Sequence, residues 1–260
     1  MNSPLAYSGG KSRLSEKIVA RIPKDHVCYC EPFSGAAWVF FRKEPSKVEV
    51  INDLDGELVN FWRVVQNHLQ PFMDYFKWAV ISRKLWLLEN RKDPATLTDL
   101  QRASRYYYLQ RLGFAGKTAD RTFGLSASRP MNLNLTTMEE TLLEVHWRME
   151  RATIENLDGC LCIERYDRPD TFFYIDPPYY DMSQCYAHKF LEEDFMRLEK
   201  TLRKIKGRFL LSLNDHADVR KRFKGFHQDK VTLIYSSGNS RVDNKTRSRP
   251  RHELFIHNLD

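Results

Sequence analysis

No stretch of the 260-residue chain is apolar for long enough to cross a bilayer as a helix, and the N-terminus lacks the charged-then-apolar pattern of a secretory signal. The expectation is therefore a cytoplasmic protein with no membrane partner. Cysteine is scarce, with five residues, and the arrangement is wrong for zinc: Cys28-Tyr29-Cys30 and Cys160-Leu161-Cys162 are C-x-C pairs with no accompanying His pair. They read as small apolar fillers at alternate positions of sheet strands, and no metal is expected. A P-loop is also missing. Gly9-Gly10-Lys11-Ser12 lacks the longer Gly-rich spacing before the Lys, which leaves a turn that either cradles an anion or simply opens the chain. The last absence is regional: from Leu58 to about Arg151 the strand pattern vanishes.

What the chain has in excess is positive charge. Lys+Arg 41 against Asp+Glu 34 gives a net charge of +7, and the surface field of such a chain favours a polyanion. The strand-free middle is helical in pattern and interleaves bases with aromatics, most densely from Arg102 to Arg111. On a helix Arg102 and Arg105 share a face while Tyr107 and Leu112 turn inward, which suits either a nucleic-acid contact or a solvated face over a tyrosine-lined core. The segment from Gly113 to Gly124, with Lys117 and Arg121, reads as a polar loop or hairpin of the kind that enters a DNA groove. Near the C-terminus, Arg241, Lys245 and Arg247 lie in a polar run between two strands and suit phosphate contact.

On either side of the helical middle the pattern alternates strand and helix. A strand from Val27 to Cys30 leads into Glu31-Pro32-Phe33-Ser34-Gly35-Ala36-Ala37 and a helix near Trp38; a second strand, Val48 to Ile51, ends at Asn52-Asp53. A Gly just past a strand lets a ligand approach the backbone, and an acid about 20 residues on meets ribose hydroxyls in nucleotide-binding βαβ units. Further on, strands are expected at Ala152–Ile154, Phe172–Ile175 and Arg208–Asp215, a helix from Glu192 to Lys206, and a closing hairpin from Val231–Tyr235 and Glu253–His257. The sharpest signal is Phe172-Phe173-Tyr174-Ile175-Asp176-Pro177-Pro178-Tyr179, a buried strand that ends in an acid, two prolines and an aromatic. A Pro-Pro turn leaves backbone carbonyls free to accept hydrogen bonds. The Asp176 carboxylate and the Pro177 carbonyl together suit a planar aromatic amine, whose lone pair becomes nucleophilic only when both N–H groups are drawn off by acceptors. Tyr179 would stack on the base and fix its plane.

Taken in order, the Tyr7-Ser8-Gly9-Gly10-Lys11 segment, the glycine loop, Asp53, the helical insertion, Asp176-Pro177-Pro178-Tyr179, Leu211-Ser212-Leu213-Asn214-Asp215 and Glu253-Leu254 resemble the Dam-like DNA adenine-N6 methyltransferases of bacteria and phages, of the α-type motif order. The resemblance implies a Rossmann-like α/β methyltransferase sheet formed by residues 1–58 and 152–260, with 59–151 inserted as a mainly helical target-recognition domain. It implies S-adenosyl-L-methionine held by Tyr7, Gly9, Lys11, Glu31, Pro32, Phe33, Gly35, Asp53 and Asp176. Its catalytic group is Asp176, Pro177, Pro178 and Tyr179, acting on an adenine flipped from duplex DNA. DNA contacts fall to Arg105, Lys117, Arg121, Arg241, Lys245 and Arg247. Two positions depart from the family pattern. Ala37 stands where a second glycine is usual, and Ala119 stands near the place of the arginine that GATC-specific members carry, with Arg121 as the substitute through a shifted loop. The target is accordingly GATC or a related, relaxed site. Methylation of RNA or of a protein glutamine, and a DNA-binding relative without catalysis, are the competing readings. A cognate restriction nuclease is an expected partner, and the chain is taken to act as a monomer.

Overall fold

The structure, a computed structural model, describes residues 1–124, 133–180, 190–235 and 249–259. Its strands are β1 (Cys28–Glu31), β2 (Val48–Asn52), β3 (Thr153–Glu155), β4 (Thr171–Ile175), β5 (Arg208–Asn214), β6 (His227–Tyr235) and β7 (Arg249–His257). They form one seven-stranded sheet in the order β3-β2-β1-β4-β5-β7-β6. All neighbours are parallel except β7, which runs antiparallel to both β5 and β6. The chain moves outward from β1 to β3, returns to the middle with β4, and moves out the other way. A crevice therefore opens beyond the carboxyl ends of β1 and β4, where the order reverses.

The helices are α1 (Ser15–Val19), α2 (Trp38–Arg42), α3 (Gly56–Asn67), α4 (Leu69–Phe76), α5 (Arg83–Arg91), α6 (Asp99–Leu112), α7 (Leu135–Met149), α8 (Gly159–Tyr166), α9 (Glu192–Leu202) and α10 (Ala217–Arg222). Local chemistry explains the main starts. Asp55 accepts from the backbone N–H of Glu57 and Leu58 to open α3. Thr98 and Gln101 form a reciprocal capping box at α6, and Asp158 caps α8. Strands β1 and β4 are buried along their whole length, as parallel strands covered on both faces must be. On one face Tyr29, Phe172 and Tyr174 join the side chains of α2, α3, α6 and α7 in a single core that includes the stacked pair Phe61 and Tyr107, 5.5 Å apart. On the other, Cys30, Phe173 and Leu211 pack against α8, α9 and α10.

The α/β class and the strand positions agree with expectation, and the region read as helical carries α3 to α7. Three details differ. Cys160 and Cys162 are buried as fillers but on helix α8, because Asp158 caps a helix there and Leu161 faces solvent. Helix α9 ends at Leu202, since a turn from Lys204 N–H to the Thr201 carbonyl breaks it. Strands β6 and β7 are longer than expected, pairing from His227 with His257 out to Tyr235 with Arg249.

Candidate active site

The crevice is built by the loops that follow β1 and β2. Asn52, the last residue of β2, donates from its amide to the carbonyls of Pro32 (2.8 Å) and Leu157 (3.0 Å), which ties both loops to the sheet end. Asp53 follows and accepts from the backbone N–H of Gly35 at 2.9 Å. Gly35 lies in the left-handed region with φ +48°, and a Cβ there would sit 3.1 Å from the ring of Tyr7. Ala37 also takes a left-handed conformation, φ 52°, which explains why glycine suits this position. The ring of Phe33 fills the space above Gly159, where a Cβ would meet it at 2.2 Å. Between these loops lies a cleft, and Tyr7, Gly9, Lys11, Glu31, Phe33, Gly35, Asp53 and Asp176 all line it.

Acidic groups gather at one side of this cleft. Lys11 Nζ lies 2.6 Å from Asp176 Oδ1 and 4.6 Å from the centre of the Tyr179 ring. Ser212 Oγ donates to the same Asp176 oxygen at 2.9 Å and is itself 2.9 Å from the Tyr174 hydroxyl. Oδ1 thus takes both donors, and Oδ2 has no partner among the described residues. Burial works against the Lys11 ammonium, but Asp176, with help from Tyr174 and Glu253, outweighs it and holds the charge on. Burial likewise pushes the Asp176 carboxyl up, and Lys11 and Ser212 pull it back. Glu31, 1% exposed and accepting from the Tyr29 hydroxyl at 2.6 Å, is pushed by burial up to about 8. Tyr179 donates its hydroxyl to both oxygens of Glu253, each at 2.7 Å.

A cleft-lining carboxylate with one oxygen held by an ammonium and a hydroxyl and the other without a partner among the described residues is an acceptor for N–H groups. Residues 7–248 match the family described as D12 class N6 adenine-specific DNA methyltransferase. The chain belongs to that family. It is similar to the Type II methyltransferase M1.LlaDCHI of Lactococcus lactis subsp. cremoris, 25% identical over 89% of this chain and 88% of that protein. It is also similar to the DNA adenine methylase of Haemophilus influenzae, 26% identical over 43% of this chain and 41% of that one. Among solved structures it resembles the rRNA methyltransferase aviRa from Streptomyces viridochromogenes, with 9% identity and a TM-score of 0.41 over 96% of this chain and 86% of that chain.

In this D12 class methyltransferase the residues read from the sequence gather at one end of the sheet. Pro32 ties the loop after β1 to the sheet end through its carbonyl, and Pro177 is buried while Pro178 lines the cleft. The nucleic-acid residues divide differently. Arg105 is 8% exposed, and its guanidinium donates to the carbonyls of Glu89 (2.7 Å) and Asn90 (3.3 Å) at the end of α5. Its place is inside the helical layer, where it caps a helix; helical periodicity alone set it on an outer face. Lys117 and Arg121 lie on the small hairpin closed by the Gly113–Phe123 bridge, with Arg121 5.2 Å from the Tyr106 ring centre. That hairpin reaches the cleft through Thr118. Arg241, Lys245 and Arg247 lie outside the described residues. Ser212 and Glu253 were named in the sequence only as parts of strands. Their strand alternation carried the missing signal, because Tyr174, Asp176, Ser212 and Glu253 occupy the same face of the sheet.

Proposed function

We propose that this enzyme transfers a methyl group from S-adenosyl-L-methionine to the N6 amine of an adenine flipped out of duplex DNA. The observation that carries the reading is the Asp176 carboxylate, which lines the cleft with its Oδ1 engaged by Lys11 and Ser212 and its Oδ2 without a partner among the described residues. The donor set suits the cofactor. Asp53 stands where an acid meets ribose hydroxyls, Tyr7 and Phe33 offer apolar rings, and Glu31 lines the wall as a carboxyl that favours a cation once it ionises. When bound, the cofactor supplies an electrophilic methyl on a sulfonium. The chain's part is to make the amine a nucleophile: Asp176 Oδ2 and the Pro177 carbonyl each accept one N–H, and Tyr179 holds the base plane. Flipping is required because an amine inside the stack cannot meet a cleft below the sheet end.

Residues 59–151 serve target recognition on this reading, and 1–58 with 152–260 serve catalysis. Lys117 and Arg121 are the nearest cations to the cleft on the recognition hairpin, and Arg241, Lys245 and Arg247 contact phosphates. With Ala119 in place of a guanine-reading arginine, the target is GATC or a related, looser adenine site. The likeness to a Type II methyltransferase favours a cognate restriction nuclease as partner, and the enzyme acts as a monomer. The deciding experiment is transfer of labelled methyl to unmethylated duplexes with and without GATC. Transfer to the GATC duplex alone fixes the site, transfer to both means a relaxed one, and transfer to neither overturns the reading. Asp176→Ala is expected to keep the fold and lose about 10²-fold or more in turnover, because it removes a transition-state acceptor.

A further inference from the structure

Glu253 has no part in the reading above, yet its surroundings are those of an active-site group. It sits in the middle of β7, paired with Asn214 of β5 on one side and Val231 of β6 on the other, and is 3% exposed. A carboxylate at such a depth is costly unless its oxygens are engaged. Both accept from the Tyr179 hydroxyl at 2.7 Å, and the group is close enough to Lys11 to help keep that ammonium charged. The carboxylate therefore reaches from the antiparallel part of the sheet to the residue that follows the Pro-Pro turn.

We propose that Glu253 is a positioning residue: by holding the Tyr179 hydroxyl between two oxygens it fixes the long axis and tilt of the ring against which the target adenine lies. A phenolic O–H prefers the plane of its own ring, so an acceptor pair at the hydroxyl selects one tilt as well as one position. An ionised acceptor makes that bond roughly twice as strong as a neutral one. The turn needs such a tether, because Tyr179 stands two residues after Pro177 with its ring half-buried and its face toward Lys11. The proposal rests on the reading that Tyr179 stacks on the base, and its test separates the two.

The measurement uses the full-length enzyme and a duplex with 2-aminopurine at the adenine that the wild type methylates, located first by sequencing of modified DNA. Glu253→Ala is expected to lower kcat by about tenfold to a hundredfold, the cost of misplacing a reacting partner by a fraction of an ångström to an ångström. Its affinity for S-adenosylmethionine stays within about twofold. Its 2-aminopurine emission rises as the flipped base loses its stacked ring. Tyr179→Phe is expected to match it in both readouts, and the double variant to be no worse than either. Glu253→Gln keeps one acceptor and restores kcat to within about threefold of wild type, which also covers the case in which the alanine variant fails to fold. Wild-type kcat and emission in a folded Glu253→Ala would overturn the proposal. So would a loss in Glu253→Gln as deep as in Glu253→Ala, or a double variant whose defects multiply. If Tyr179→Ala leaves kcat and emission unchanged, the stacking reading itself is wrong, and the proposal falls with it.

Discussion

Two glutamates of this enzyme are shifted in opposite directions from the ordinary carboxyl range. Glu31 binds its proton more tightly folded, at about 8, than its ordinary value of 4.5, because burial disfavours the ion. The folded state then holds an extra proton over that interval, so stability declines as pH rises from 4.5 to about 8 and is level above it. Glu31→Gln is expected to flatten this limb, read as the urea midpoint at a series of pH values. On the proposed cofactor reading, affinity for the cationic cofactor rises over the same interval in the wild type, as Glu31 becomes able to ionise, and does not in the variant. Glu49 is the counterpart. Burial opposes its charge, but Arg148 at 2.5 Å and Lys43 at 2.5 Å outweigh that and hold its carboxyl low. Its contribution is present above the ordinary 4.5 and is lost as pH falls through the lower folded value. Ala37, with φ 52°, makes the third residue-level case. Ala37→Gly removes a left-handed strain of about 1 kcal/mol and is expected to raise Tm slightly without loss of activity, since glycine adopts this conformation without a Cβ clash.

Between elements, the Glu49 cluster is a cross-tie: Glu49 comes from β2, Lys43 from the end of α2 and Arg148 from α7, and the Arg148 guanidinium lies 3.8 Å from the Phe40 ring centre. Glu49→Ala strands two nearly buried cations and is expected to cost about 3–5 kcal/mol in equilibrium unfolding. Gly159 in α8 lies against the ring of Phe33 in the loop after β1 instead. An added Cβ would sit 2.2 Å from Phe33, so Gly159→Ala must displace that cleft-lining ring and, on the proposed cofactor reading, is expected to weaken cofactor binding by about tenfold or more, with a modest change in Tm; calorimetric titration checks it. These elements also show what the sequence could disclose. Strands β1, β2 and β4 and the loops after them were legible, because continuous apolar runs ended by Gly, Pro and Asp have few other solutions. Helix α8 was not, since its eight residues span barely two turns and its C-x-C pair fits a strand equally well. Arg105 was misplaced because a guanidinium that caps the carbonyls of a neighbouring helix looks, in sequence, like one that faces solvent.

Across the whole molecule, a net charge of +7 predicts association that weakens steeply with salt. On the proposed phosphate contacts, Arg241→Ala and Arg247→Ala each reduce the slope of log K against log salt by about 1, uniformly over DNA sequences. A shift in the preferred base instead would make them readers of sequence. The core of the molecule bears on how such enzymes change their target. Side chains of α3, α6 and α7 interdigitate with Tyr29 and Phe172 of the sheet in one apolar cluster, so the helical layer cannot be lifted out and another put in its place without repacking the centre. The hairpin between Gly113 and Gly124 is anchored on that cluster by Phe123 and Arg121, so on the proposed recognition role a laboratory graft exchanges the residues between these two anchors and leaves the helices beneath them alone.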